Sequence, residues 1–156
     1  MKTLILYASK HGAAREIAQR ISSGMADAVI HDLKHKGIPP LAQFDCVITG
    51  SSLYAGSIRR EAKAFLSKNT DGLQGKRIGL FLCGLDAKSE KNYFAKNFSP
   101  DIVQAAKAAV FLGGIFDPKK CGKMERFIMK IVAKQSGYVN TINNEKIKQF
   151  IEAMKT

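Results

Sequence analysis

Short, uninterrupted apolar runs alternate along this chain with segments whose apolar residues recur every three or four positions, and that alternation constrains the fold more than any other feature. Residues 3–8 (TLILYA) form the first run. A run of this kind without polar interruption is expected of a strand buried on both faces, as in a parallel sheet. Beyond it, Ile17, Ile21 and Met25, with Ala14 and Ala18 beside them, predict a helix over 13–25 that buries one stripe. Further strands are predicted at 28–33 (AVIHDL), 44–50 (FDCVITG), 77–83 (RIGLFLC) and 107–113 (KAAVFLG), with a helix over 58–67. Between residues 84 and 100 the periodicity is weak, and Tyr93, Phe94 and Phe98 predict only a short helix. Two helical patterns close the chain: Met124, Phe127, Ile128, Ile131 and Val132, then Ile147, Phe150, Ile151 and Met154. Five strands alternating with helices predict one doubly wound α/β domain spanning 1–156.

Twenty-five Lys and Arg against 13 Asp and Glu leave a net charge of +12, which calls for an anionic partner. A nucleic acid is not expected, since the chain has no helix-turn-helix, RNP or zinc pattern. The N-terminus offers only five consecutive apolar residues, 4–8, too few for a secretory signal or a membrane span. Three widely spaced cysteines without a CxxC pair indicate neither a disulfide framework nor a zinc site. The expected location is the cytoplasm. Cys46 and Cys83 fall inside apolar strands and read as core, whereas Cys121 lies among polar residues. His31 and His35 have no Cys or acid at ligand spacing, so no metal is expected.

In an open parallel sheet, ligands bind beyond the carboxyl ends of the strands. The first strand ends in Ser9, Lys10, His11, Gly12, Ala13 and Ala14, a turn into a helix start, where unpaired amides and the helix dipole stabilise a phosphate. The third ends in GSSLYAGS, so that Ser51, Ser52, Leu53, Ala55 and Gly56 surround one aromatic residue, Tyr54, with mostly small neighbours that let a flat ligand approach. The fourth ends in Cys83, Gly84 and Leu85, a glycine again marking close backbone approach. Asp86 and Glu90 follow and are candidate proton acceptors, although carboxylates after a strand are commonplace.

A phosphate turn with two walls for a planar ring resembles the flavodoxin family, whose phosphate loop follows the first strand as ASKHGAA does here. Of the hydroxyl residues usual in that loop only Ser9 remains, and Lys10 and His11 stand as cationic donors instead. MKTLILYASKHGAAREIA and GGIFDPKKCGKMERFIMKIVAKQSGYVNT look more narrowly like the flavodoxin-type, menaquinone-dependent protoporphyrinogen IX oxidases. The resemblance implies a five-stranded parallel sheet of order 2-1-3-4-5 with helices on both faces. It also implies FMN at residues 9–14, 51–56 and 83–85, and electron transfer to a quinone or a redox protein. FMN is expected over FAD because the chain has one phosphate nest and lacks the GxGxxG turn. A non-catalytic electron carrier is the alternative, against which the positive charge weighs, since carriers of this family are typically acidic.

At about 100° per residue, Lys119, Lys123, Arg126, Lys130 and Lys134 fall in one sector of a helix over 119–134, apart from its apolar arc. Such a stripe either stays solvated over a core-packing helix or reads an anionic membrane or acidic protein.

Overall fold

The computed structural model describes residues 1–132, 134 and 136–156, with Val132 described by its backbone alone. Five parallel strands form its centre: β1 (Thr3–Ala8), β2 (Ala28–Asp32), β3 (Cys46–Tyr54), β5 (Arg77–Cys83) and β6 (Ala106–Phe111). They run in the order β2-β1-β3-β5-β6, which is 2-1-3-4-5 counted among themselves. A two-residue strand, β4 (Ser57–Ile58), folds back antiparallel onto β3.

Every residue of β1 is buried, and its side chains alternate between two cores. Ile5 and Tyr7 join Ile48 and Phe81 beneath α1 (Ala13–Ser23) and α7 (Asn144–Lys155), which contribute Ile17, Ile21, Phe150 and Met154. Leu4, Leu6 and Ala8 face the other way with Val47, Leu80 and Leu82, under Ala62 and Phe65 of α2 (Arg60–Lys68). The two-faced burial expected of an unbroken apolar run is therefore met by helices on both sides.

Several elements exceed the sequence reading. The third strand does not end near Gly50 but continues to Tyr54, and Ala55 (φ 49) and Gly56 (φ 75) then form a two-residue hairpin turn. The weakly periodic stretch holds α4 (Glu90–Asn97) and α5 (Pro100–Ala105), while α3 (Thr70–Leu73) is a single turn after α2. From α4, Asn97 braces the hairpin: its Nδ2 donates to the Gly56 carbonyl at 2.9 Å and its Oδ1 accepts from the Ile58 amide at 2.9 Å.

After β6 the chain leaves the sheet and returns. β7 (Ile115–Phe116) pairs antiparallel with β8 (Val139–Asn140), and between them runs α6 (Lys123–Val132). The neck of this arm is tight. Gly84 N–H donates to the Gly113 carbonyl at 3.1 Å and Thr141 N–H to the Gly114 carbonyl at 2.8 Å. A Cβ on Gly113 would lie 2.0 Å from the Thr141 oxygen.

The helix itself departs from expectation. Met124, Phe127, Ile128 and Ile131 are 43–75% exposed instead of buried, and Val132's expected place on that arc lies outside the described side chains. Among the described side chains of the helix only Glu125 and Met129 are half-buried, in line with Cys121 just before it at the same spacing of four. The cationic stripe is also shorter than a helix over 119–134 would make it. Lys123, Arg126 and Lys130 lie on α6, Lys119 sits in a preceding 3-10 turn, and Lys134 follows the helix at φ 54.

At the centre of the sheet, a Cβ on Gly50 would fall 1.9 Å from the Phe81 ring. Gly50→Ala is expected to destabilise the fold by about 1–3 kcal/mol through overpacking. Adding Phe81→Leu should recover part of that loss, read as the midpoints of urea denaturation.

Candidate functional site

Parallel strands bring the three loops singled out in the sequence to one edge of the sheet, with Ala8 beside Ser51 and Ser52 beside Cys83. The turn after β1 is closed by Ser9, whose Oγ accepts from Gly12 N–H at 2.9 Å. Gly12 has φ 99, a left-handed conformation that other residues adopt at a cost of about 1–2 kcal/mol. Glu16 N–H to the Gly12 carbonyl, 3.0 Å, is the first bond of α1, so the amides of Ala13 and Ala14 precede the helical ladder. Their methyl groups are buried, leaving only backbone for a ligand. Lys10 N–H reaches Ser52 Oγ at 3.3 Å and ties the turn to β3.

The remaining positions divide by burial. Ser51 is buried, donating to the Ser52 carbonyl at 3.0 Å and accepting from Arg59 N–H at 2.9 Å, so its hydroxyl braces the loop. Leu53 packs against the core under α2, whereas Tyr54 is 46% exposed. Cys83 is sealed in the core, and burial pushes its thiol far up. Gly84 contacts the arm's neck, and Leu85 beside it is half-buried.

Above the turn sits a residue the sequence reading had not placed in the site. Glu125 of α6 accepts from Lys10 Nζ through one oxygen and lies 2.8 Å from His11 Nε2 through the other. An ionised carboxylate only accepts, so Nε2 carries the hydrogen. Partial burial opposes ionisation of Glu125, but the hydrogen bonds and charges of Lys10 and His11 outweigh it and hold the carboxyl below its ordinary 4.5. The same Lys10 ammonium lies 4.0 Å from the centre of the Tyr54 ring, a cation–π contact. Cys121 completes the group: burial raises its thiol pKa, and the Glu125 charge adds to the rise. Glu125 was visible in sequence only as the one acid among the stripe's cations; its pairing spans more than a hundred residues and leaves no local pattern.

Both carboxylates after β5 have structural partners. Asp86 accepts from Ser89 Oγ at 2.6 Å and Tyr93 Oη at 3.1 Å. The Ser89 hydroxyl bond is the main influence holding its carboxyl low. Glu90 accepts from Phe111 N–H at 2.7 Å and pairs with Lys146 at 3.7 Å. His31 Nε2 lies 3.1 Å from the His35 carbonyl, a local loop contact.

A turn into a helix after the first strand, an aromatic side chain after the third and a 2-1-3-4-5 sheet define a doubly wound α/β protein. More particularly, the chain belongs to the Flavodoxin domain family, which it matches over residues 4–142. It is 25% identical over 150 residues to the protoporphyrinogen IX dehydrogenase (quinone) of Escherichia coli K12, across 88% of this chain and 81% of that protein. Among solved structures it is similar to rubredoxin oxygen:oxidoreductase of Desulfovibrio gigas, with TM-score 0.57, 14% identity and coverage of 99% of this chain but 34% of that one. A flavoprotein from Bacteroides eggerthii matches with TM-score 0.55 and 15% identity, over 85% of this chain and 98% of its own. A Lactobacillus acidophilus flavoprotein in complex with FMN matches with TM-score 0.50 and 17% identity, over 72% of this chain and 90% of its own. At these identities the solved structures establish the fold.

The three thiols should separate by burial. In the native protein only Cys121 is expected to react with a disulfide reagent, with Cys46 and Cys83 following after denaturation. Mass spectrometry of the labelled peptides checks this, and labelling of native Cys83 would contradict its place in the core.

Proposed function

We propose that this protein binds FMN at the carboxyl edge of the sheet and acts as an oxidoreductase, oxidising a porphyrinogen-like substrate with a quinone as acceptor. The observation that carries the reading is the meeting of the residue 9–14 turn with Tyr54 at one edge, in a chain of the Flavodoxin family. The donors suit a phosphate: the amides of Ala13 and Ala14 ahead of the helical ladder, a glycine whose added Cβ would meet no backbone within 4 Å, the Lys10 ammonium and the His11 imidazole. Bound there, FMN supplies the electron chemistry. The chain's own part is to hold the phosphate at the turn and to offer Tyr54 as one face for the ring.

The substrate and acceptor rest on the likeness to the Escherichia coli dehydrogenase, which extends through the arm. One observation favours a pure electron carrier instead: Asp86 and Glu90 are both engaged in structural hydrogen bonds, away from any proton-transfer role.

The partner surface is α6. Among the described residues no helix is long and apolar enough to cross a membrane. An amphipathic helix with Lys123, Arg126 and Lys130 beside exposed Phe127, Ile128 and Ile131 suits peripheral contact with the anionic, cytoplasmic face of one. Each cation near such a surface contributes about 1 kcal/mol, and Lys119 and Lys134 flank the helix. That position lets the site meet a lipid-soluble quinone.

Calorimetry should find FMN bound more tightly than FAD. Gly12→Val should weaken FMN at least about tenfold by combining backbone strain with crowding of the turn. Unchanged affinity would place the phosphate elsewhere.

In vesicle sedimentation, the protein should bind anionic but not neutral vesicles, more weakly as salt rises. Charge reversal of Lys123, Arg126 and Lys130 to Glu should leave it in solution. Equal sedimentation of the two proteins would reject the membrane contact and leave an acidic protein as the partner.

A further inference from the structure

Both halves of the candidate site are held by the protein's own groups. In the turn, the Glu125 carboxylate takes the hydrogen bonds of Lys10 Nζ and His11 Nε2, the side-chain donors a phosphate would draw on. On the ring side, the Lys10 ammonium lies over one face of Tyr54, 4.0 Å from the ring centre. Glu125 is also the polar half of a narrow attachment. It and Met129, one turn on, are the half-buried described side chains of α6, and the others are exposed.

An anion suits this cluster better than a cation does. His11, Cys121 and Glu125 do bring an imidazole nitrogen, a thiol and a carboxylate within 4.8 Å of one another, a donor set that zinc accepts. A divalent ion there would have to displace the Lys10 ammonium from Glu125 and sit among Lys10 and Lys120, whose Nζ approaches the Gly12 side of the turn. Two anions, in turn, disfavour each other at such close range, so a phosphate and the Glu125 carboxylate compete for the same donors.

We propose that Glu125 is a built-in competitor for the flavin phosphate, and that exchange of the carboxylate for the phosphate unlatches α6 from the turn. The inference rests on the flavin reading above. No covalent step is involved: Lys10 and His11 transfer their hydrogen bonds from carboxylate to phosphate oxygens, and α6 stays joined at the β7–β8 neck. Linkage makes the effect reciprocal, so a membrane that binds released α6 more tightly than latched α6 raises the affinity for the phosphate by the factor with which the phosphate favours membrane binding.

Two measurements test it. If the latched form outweighs the released one by about ten to one, apparent FMN affinity is lowered by about that factor. Glu125→Gln should then bind FMN about tenfold more tightly while its affinity for riboflavin, which has no phosphate, is unchanged. Glu125→Asp, which keeps the carboxylate, should stay nearer the wild type, and thermal melts of all variants establish that each is folded. Unchanged or weaker FMN binding by a folded Glu125→Gln protein would overturn the competition and make Glu125 a support for the turn. The second measurement follows Cys121, whose thiol is held back by burial and by Glu125. FMN or inorganic phosphate should speed its modification in the wild type, and a rate indifferent to both would overturn the unlatching. Inorganic phosphate separates the two readings. If no flavin binds either protein, the flavin assignment fails, yet faster Cys121 modification with phosphate would still support exchange at the turn, and its absence would reject it.

Discussion

Burial of the central strands on both faces is the constraint from which the rest of this structure follows. β1 has no solvent-facing side, so Leu4, Leu6 and Ala8 need α2 as much as Ile5 and Tyr7 need α1 and α7. A strand committed in this way can offer chemistry only at its end. The segments that follow Ala8, Ser52 and Cys83 accordingly gather at a single edge, because these residues are neighbours across the parallel ladder. The close contact of Gly50 with Phe81 belongs to the same constraint. The Phe81 ring lies where a β3 side chain would stand and joins Phe150 edge-on, 6.5 Å between centroids.

What the edge can hold is then decided by charge. Lys10 brings a cation to the turn and His11 an imidazole N–H, donors that an anion satisfies. Glu125 does so in this structure, with its side chain only 20% exposed, so the interaction is less screened than a surface pair. The arm that carries Glu125 thus touches the turn after β1 as well as presenting a surface of its own.

The parts of this molecule legible in sequence were those written in local pattern. Runs such as TLILYA and RIGLFLC indicate buried strands because they are short, continuous and followed by turn residues, and the stripe Ile17, Ile21 marks α1. The hairpin at Ala55 and Gly56 was not legible, since Ala at positive φ is an uncommon choice made tolerable by the bracing of Asn97. Nor was the exposure of Phe127 and Ile131: periodicity reports that a helix has an apolar face and is silent on whether the body covers it. The Glu125 pairing escaped for a third reason, because contacts across more than a hundred residues are set by the fold alone.

The neck of the arm has its own consequence for how such a protein diversifies. Gly113 and Gly114 meet Gly84 and Thr141 so closely that the two ends of the excursion are paired to each other before the chain rejoins α7. To the sheet, everything between them is a closed loop, and lengthening a loop whose ends are already fixed adds entropy cost only logarithmically. The arm can therefore be shortened, extended or rewritten over generations without disturbing the frame beneath it. The arm's length and sequence are thereby uncoupled from the sheet, while a Cβ on either glycine at its base would meet backbone, the Thr141 carbonyl at 2.0 Å or that of Gly84 at 2.7 Å.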